Sequence, residues 1–325
     1  MSIYISLPTL YDNQIDFTIK SAINNADKPK EIFIGLVLME TNNEYLNYDL
    51  FYKNKILPII DNANIKFKRF KHNEYEQSVG FGRNQALSMY DNQDYILQID
   101  SHTFFEKSWD TKLIMMYNES LFITKNNKTI LTCYLPAYKN VKNEIFEIEK
   151  NNFSKYPFIT NEHWNNTKIP RWIDSRLEKN IKNNFLPSIK FNAQFAFSNI
   201  NYFNNNGLPT ETVFWEEEVI QTINLIDLGF SLVFPNCPMP LFHLFIGDIE
   251  KNDVLNLEYR VSGGSPEGKS FNQKQDERMN IQWLNFINNP LNEEKINRFF
   301  NYSKINLKNN TFEPNYIPTN FINSY

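Results

Sequence analysis

Asp100, Ser101 and His102 follow directly on an apolar run, Tyr95 to Ile99. The run reads as a buried strand and the polar triplet as its end. On an extended backbone Asp100 and His102 point the same way, because side chains alternate with a period of two. A carboxylate and an imidazole so placed can hold one divalent cation. Ligands of open α/β sheets sit at the carboxyl ends of strands, which is where this pair falls. The competing reading is a plain polar turn.

Three further groups carry chemistry-bearing residue types. His243, between Phe242 and Leu244, offers a third ligand or, equally, a satisfied histidine in an apolar core. Glu216, Glu217 and Glu218 follow Phe214 and Trp215. Three acids suit a solvated helix start. Aromatics beside carboxylates also suit a sugar ring that stacks and hydrogen-bonds, with one acid orienting or deprotonating an acceptor hydroxyl. Gly80-Phe81-Gly82-Arg83-Asn84 reads as a glycine-containing loop that opens a helix. Glycine permits close approach, a helix N-terminus favours anions, and Arg83 presents a fork of donors to phosphate or carboxylate. A turn with a surface arginine is the bland alternative. His72 and His163 lie in polar stretches and read as surface residues.

Several sites are excluded by pattern. Gln85 stands where a dinucleotide fingerprint needs its third glycine, and no phosphate loop of the Walker type occurs. There is no Cys-x-x-Cys or His-Glu-x-x-His, and no Gly-x-Ser-x-Gly elbow.

The elements that must position these residues alternate. Strands are expected at Ile3 to Leu7, Glu31 to Met39, Ile65 to Phe70, Tyr95 to Ile99, Thr129 to Leu135, Phe191 to Ser198 and Phe230 to Phe234. Helices are expected at about Asp12 to Asn25, Tyr48 to Ile60, after Gly80 to Tyr90, Thr111 to Asn118, Phe214 to Leu228, Lys274 to Phe286 and Glu293 to Tyr302. Gly229 suits a helix C-cap. This order predicts an α/β fold with a mostly parallel sheet between helices. The stretch 139–187 is polar and irregular and reads as an insertion or lid.

Composition agrees with a folded protein: 325 residues, 42% hydrophobic, 15% aromatic, and a formal net charge of -4. That charge gives no global basic footprint, so strong non-specific nucleic-acid binding is not supported. A local basic groove of Lys139, Lys142, Lys168, Arg171 and Arg176 stays open as a competitor. Cys133 and Cys237 read as reduced thiols of a cytoplasmic protein. The start of the chain lacks a signal pattern, and no apolar run is long enough to span a membrane.

Together these pieces resemble the nucleotide-sugar glycosyltransferases of the GT-A fold. The resemblance is to the family of N-acetylglucosaminyltransferases that glycosylate hydroxyproline, and it rests on Ser78 to Asp110. Tyr95, Leu97, Gln98, Ile99, Asp100, Ser101, His102, Trp109 and Asp110 match the family pattern directly, and Gly82-Arg83 stands for its Ala-Arg. More loosely, Ile3 to Asp12 resembles its first strand and following Asp, and Ile32 to Leu38 its second strand. Phe214 to Gly229 resembles its acid-pair helix, and His243 its late histidine. Glu216 replaces a glycine of the pattern, Pro8-Thr9-Leu10-Tyr11 replaces its first loop, and its C-terminal glycine-rich segment is not recognisable.

The resemblance implies a metal-dependent transferase moving a sugar, GlcNAc by family, from a UDP-sugar to a hydroxyl, with retention. It implies a divalent ion, Mn²⁺ before Mg²⁺, on Asp100, His102 and His243. The donor would meet Thr9, Asp12, Arg83, Asp100, Ser101 and Trp215. Glu217 and Glu218 would be the catalytic acids. Residues 1–246 would form the GT-A domain and 247–325 a helical extension with an extended tail, in a cytoplasmic protein of a microbial or virus-infected cell. The acceptor stays open between protein, polysaccharide and a hydroxylated base of viral DNA. An inactive nucleotide-sugar or glycan-binding module is the alternative of another class.

Overall fold

The computed structural model describes residues 1–40, 47–62, 64–71, 78–141, 145–148, 155–159, 169–170, 172–175, 181, 183–199, 212, 215–244 and 266–322. Of these, residues 139–141, 145–148, 158–159, 172–175, 215 and 266–276 are described by backbone alone. His72, His163, Phe214 and the side chains of the basic residues Lys139, Lys142, Lys168, Arg171 and Arg176 therefore lie outside the described set.

The first four strands make the parallel half of the molecule. They are β1 (Ile3–Thr9), β2 (Ile32–Met39), β3 (Ile65–Phe70) and β4 (Tyr95–Ile99), in the spatial order β4-β1-β2-β3. Register is fixed by Ile3 opposite both Ile32 and Tyr95, and by Ile34 opposite Ile65. The crossovers are α1 (Ile15–Asn24), then α2 (Tyr48–Phe51) and α3 (Leu57–Ile60) joined by a π-helical turn, then α4 (Val79–Leu87). Every residue of β4 is buried, as both covered faces require of a parallel sheet.

Beyond β4 come β5 (Thr103–Phe105), α5 (Trp109–Thr124), β6 (Thr129–Thr132), β7 (Ala137–Val141), β8 (Ile145–Ile148), β9 (Tyr156–Ile159) and β10 (Trp172–Ser175). Then follow β11 (Phe185–Pro187), β12 (Phe195–Asn199), α6 (Trp215–Asp227), β13 (Ser231–Pro235) and β14 (Leu241–Leu244). The main sheet runs β11-β13-β6-β12-β4-β1-β2-β3. Strand β12 is antiparallel to both β4 and β6, and β11 is antiparallel at the far edge. A second sheet, β5-β14-β7-β8, stands beside the carboxyl end of β4. The chain closes with α7 (Pro266–Asn288), α8 (Glu293–Ser303) and the short pair β15 (Ile305–Asn306) and β16 (Thr311–Phe312).

Side-chain alternation divides the core. Tyr95, Leu97 and Ile99 of β4 pack with Ile15 and Ile19 of α1 and Trp109, Leu113 and Tyr117 of α5. Ile96 of the same strand packs on the other face with Tyr4, Val37 and Ala86 of α4. Helix α6 joins that second face through Leu225, and its outer side carries Met279 and Trp283 of α7 and Ile296 and Phe299 of α8. The two C-terminal helices are thus packed onto the helix that bears the acid cluster.

Three expectations need correction. The stretch 139–187 is not irregular: β8, β9 and β10 lie inside it, and β7 and β11 enter its ends. Those segments are too short for an alternation signal to rise above their polar surroundings. Residues 80–84 are not a loop, since α4 begins at Val79, with the Ser78 hydroxyl accepting the Phe81 N–H. Gly82 serves close packing instead: a Cβ there would stand 2.5 Å from the Met39 thioether. Strands β5 and β14 were not expected at all, because their pairing is set by tertiary context.

Helix α5 is clipped to the end of α1. The Trp109 indole donates to the Ala22 carbonyl at 2.8 Å. The Asp110 carboxylate accepts the N–H groups of Asp27 and Lys28 at 2.9 and 3.0 Å. Trp109 and Asp110, two residues of the matched stretch, therefore hold the scaffold. Asp110→Ala leaves two backbone donors without that carboxylate, and hydrogen bonds to charged groups are worth about 1.5–3 kcal/mol each. Urea unfolding is expected to show a stability loss on the order of 3 kcal/mol; an unchanged midpoint would remove the clip from the account.

Candidate active site

The site forms where three strand ends meet. Asp100 follows β4, His102 precedes β5, and His243 lies in β14 opposite Thr103. The turn between β4 and β5 is pinned from several sides. The Thr18 hydroxyl of α1 donates to the Ser101 carbonyl at 2.9 Å and accepts the Thr103 N–H at 3.1 Å. The Thr103 hydroxyl donates to the Asp100 carbonyl at 2.9 Å. Leu244 N–H donates to the His102 carbonyl at 3.1 Å, which ties the turn to β14.

The structure brings Asp100, His102 and His243 together. One ligand atom from each lies within 4.8 Å of the others. The two imidazoles meet edge to face with centroids 4.4 Å apart, and His243 Nε2 stands 3.4 Å from Asp100 Oδ2. The Asp100 and His102 side chains keep 29% and 21% of their exposure, so the cluster has a mouth. Burial, then the neighbouring His102, lowers the His243 pKa to about 4, so its ring is neutral at pH 7 and has a lone pair to give. Burial alone would raise Asp100. The hydrogen bond to His243 and the Arg83 charge outweigh it and hold the carboxyl well below the usual range.

Arg83 and the acids form a second layer beneath. Arg83 projects from α4 and is buried. One guanidinium nitrogen donates to Asp100 Oδ1 at 3.1 Å and another to Glu217 of α6. Arg83, expected to face phosphate or carboxylate, bridges Asp100 and Glu217. Glu216 and Glu217 are almost wholly buried, so the cluster is not a solvated helix start. Glu217 Oε1 is buried with no hydrogen-bond partner among the described residues. Glu218 is held on both oxygens: it accepts the Ala193 N–H at 2.9 Å and pairs with buried Lys190 at 2.9 Å. Nothing in sequence spacing linked Lys190 to this acid.

The remaining expected residues fall at the rim or behind it. Thr9 ends β1, and its hydroxyl is buried without a partner among the described residues. Asp12 follows β1 and is buried behind His102. The Ser101 hydroxyl donates inward to Asp12 at 2.6 Å. Trp215 opens α6, and only its backbone is described.

A solved structure of GalNAc-T7 with UDP, GalNAc and Mn²⁺ shares this fold, with a TM-score of 0.53 at 13% identity. The likeness covers 75% of this chain and 44% of that one, so the chain spans less than half of that protein's length. A structure of S. aureus TarS, residues 1–349, matches with a TM-score of 0.42 at 13% identity, over 93% and 78% of the two chains. No curated protein matches the sequence. The sheet, with its Asp-x-His turn at the carboxyl edge, is a GT-A glycosyltransferase fold. Within that class the chain belongs to the GlcNAc glycosyltransferase family, whose sequence model matches residues 53–249. Among the described residues no helix is long and apolar enough to cross a membrane.

The acid layer has a pH signature. Burial raises the Glu217 carboxyl from its ordinary 4.5 to about 7, with the Arg83 charge offsetting only part. A carboxyl whose pKa rises on folding stabilises the protein below the unfolded value, and that stabilisation is lost as pH climbs through the folded value. Between pH 4.5 and 7 the wild-type protein should therefore lose on the order of 3 kcal/mol relative to Glu217→Gln. Urea titrations of the metal-free proteins across that range measure it; parallel curves would show that Glu217 is ionised throughout.

Proposed function

We propose that the protein is a metal-dependent glycosyltransferase that moves a sugar from a UDP-sugar to a hydroxyl acceptor. The convergence of Asp100, His102 and His243 carries this reading. One carboxylate and two imidazoles suit Mn²⁺, with Mg²⁺ the harder, oxygen-seeking alternative. The donor set fits such an ion, because His243 is neutral, Asp100 is ionised and the cluster opens to solvent. When bound, the ion supplies Lewis-acid neutralisation of the charge that develops on a departing diphosphate.

The chain's own residues do the rest. The pinned β4–β5 turn fixes where the diphosphate sits. Thr9, at the end of β1, offers an unused hydroxyl on the nucleoside side. Arg83 and Lys190 supply positive charge under the sugar, held there by Glu217 and Glu218. Trp215 opens the acid helix and would face sugar or acceptor. GlcNAc is supported as the sugar by the family description. UDP and Mn²⁺ are supported by the ligands of GalNAc-T7, whose fold is shared. Retention at the anomeric carbon and a protein hydroxyl as acceptor follow the family resemblance.

The test uses radiolabelled UDP-GlcNAc with pooled protein, glycan and hydroxylated-DNA acceptors. Asp100→Ala is expected to lower transfer by at least about a hundredfold, in line with the loss of an electrostatic stabiliser, and to abolish Mn²⁺-dependent UDP binding. Equal turnover by wild type and variant would sink the metal assignment. Mn²⁺-dependent binding without transfer or hydrolysis would return the binding-module reading.

A further inference from the structure

Asp12 lies three residues beyond the end of β1, where a nucleoside contact was expected. It is 3% exposed. Its Oδ1 accepts the Gln14 N–H at 2.9 Å. Its Oδ2 accepts the Ser101 hydroxyl at 2.6 Å and lies 2.7 Å from His102 Nδ1. An ionised carboxylate only accepts, so the hydrogen in that last contact belongs to Nδ1. The ring nitrogen left over is Nε2.

From this we infer that Asp12 is a positioning residue for the cation site: it fixes the Nδ1–H form of His102 and so turns the bare Nε2 lone pair toward Asp100 and His243. This rests on the metal reading above and assigns Asp12 a place in it. Carboxylates that accept the second N–H of a ligating histidine fix its tautomer and ring orientation. Here the geometry is anchored twice over. Ser101 is held through its carbonyl by Thr18 and through its hydroxyl to Asp12, so the acid and the imidazole hang on one rigid turn. The inward-facing Ser101 hydroxyl, which no donor contact explains, thereby acquires a role.

The substitution Asp12→Asn separates charge from shape. Its oxygen can still accept the Gln14 N–H, which puts the amide NH₂ where Oδ2 was. That group donates, so it favours a bare Nδ1 and moves the ring proton to Nε2, the atom that must ligate. Asp12→Asn should therefore weaken Mn²⁺ far more than its size change suggests. The expected loss is about 10–100-fold, the usual range for such outer partners.

The experiment measures Mn²⁺ affinity of the full chain by the free-ion electron paramagnetic resonance signal, for wild type, Asp12→Asn and Asp100→Ala. UDP binding without metal is measured in parallel. Nitrogen-correlated NMR of the metal-free wild type reads the ring tautomers; the chain has four histidines, and His102→Gln assigns the signal. Support is a protonated Nδ1 on His102 together with weakened Mn²⁺ and unchanged metal-free UDP binding in Asp12→Asn. An Nε2–H tautomer in the wild type overturns the inference even if the variant does not fold. Wild-type Mn²⁺ affinity in Asp12→Asn overturns it too, as does a loss confined to metal-free UDP binding, which would restore the nucleoside role. Failure of the metal reading looks different: Asp100→Ala then binds Mn²⁺ no worse than wild type.

Discussion

One buried arginine organises the chemistry of this protein. The Arg83 guanidinium sits away from water between Asp100, at the end of the central strand, and Glu217, in the first turn of α6. Taking such charges out of water costs several kcal/mol per ion, which Arg83 outweighs for Asp100 at the mouth and offsets only in part for buried Glu217. The match is local and extends outward: Asp100 also faces His243, and Glu218 beside Glu217 is matched by Lys190. Opposite charges alternate from the sheet edge to α6, and the candidate metal ligands form the end of that series nearest solvent. The same charges serve two purposes. They keep Asp100 ionised and, in the proposed reading, keep positive charge beneath a leaving diphosphate.

The scaffold explains how such a layer can be held still. Arg83 reaches Asp100 because α4 lies close against the sheet. Gly82 allows that approach beside Met39, and Gly35 leaves room for the Tyr4 phenol, which donates to the Ala86 carbonyl. On the opposite face, α1 pins the Asp-Ser-His turn through Thr18, while Trp109 and Asp110 bind the start of α5 to the end of α1. The turn is gripped from both faces of the sheet, and the second sheet adds His243 from a third direction. Candidate ligands drawn from separate strands on such a frame would have little freedom left to lose on binding an ion.

How much of this was legible in the sequence depended on the range of the interaction. The parallel core was legible, since each of its strands is an apolar run with a helix-periodic segment after it. Asp100 and His102 were legible as a polar pair closing an apolar strand, although Ser101 and His102 fold as a turn and not as the extended backbone their spacing suggested. The burial of Glu216 and Glu217 was not, as a run of acids at a helix start is ordinarily solvated, and the countercharges of this run come from Arg83, 134 positions before Glu217, and from Lys190, about thirty positions before Glu218. Strands β5 and β14 were invisible for the same reason. A three-residue strand has no periodicity, and its existence here depends on a partner more than a hundred residues away.

The matched stretch itself shows why a motif does not assign roles to its members. Within Tyr95 to Asp110, Asp100 and His102 face the mouth of the site, yet Ser101 between them turns inward to Asp12, and Gln98 donates to the Ala193 carbonyl inside the sheet. Trp109 and Asp110 never approach the cluster; they lock helices together. Chemistry and support alternate along this turn because its hydrogen bonds to Thr18 and Asp12 hold Ser101 inward while Asp100 and His102 stay at the mouth. The candidate ligands and the residues between them that do structural work therefore belong to one run.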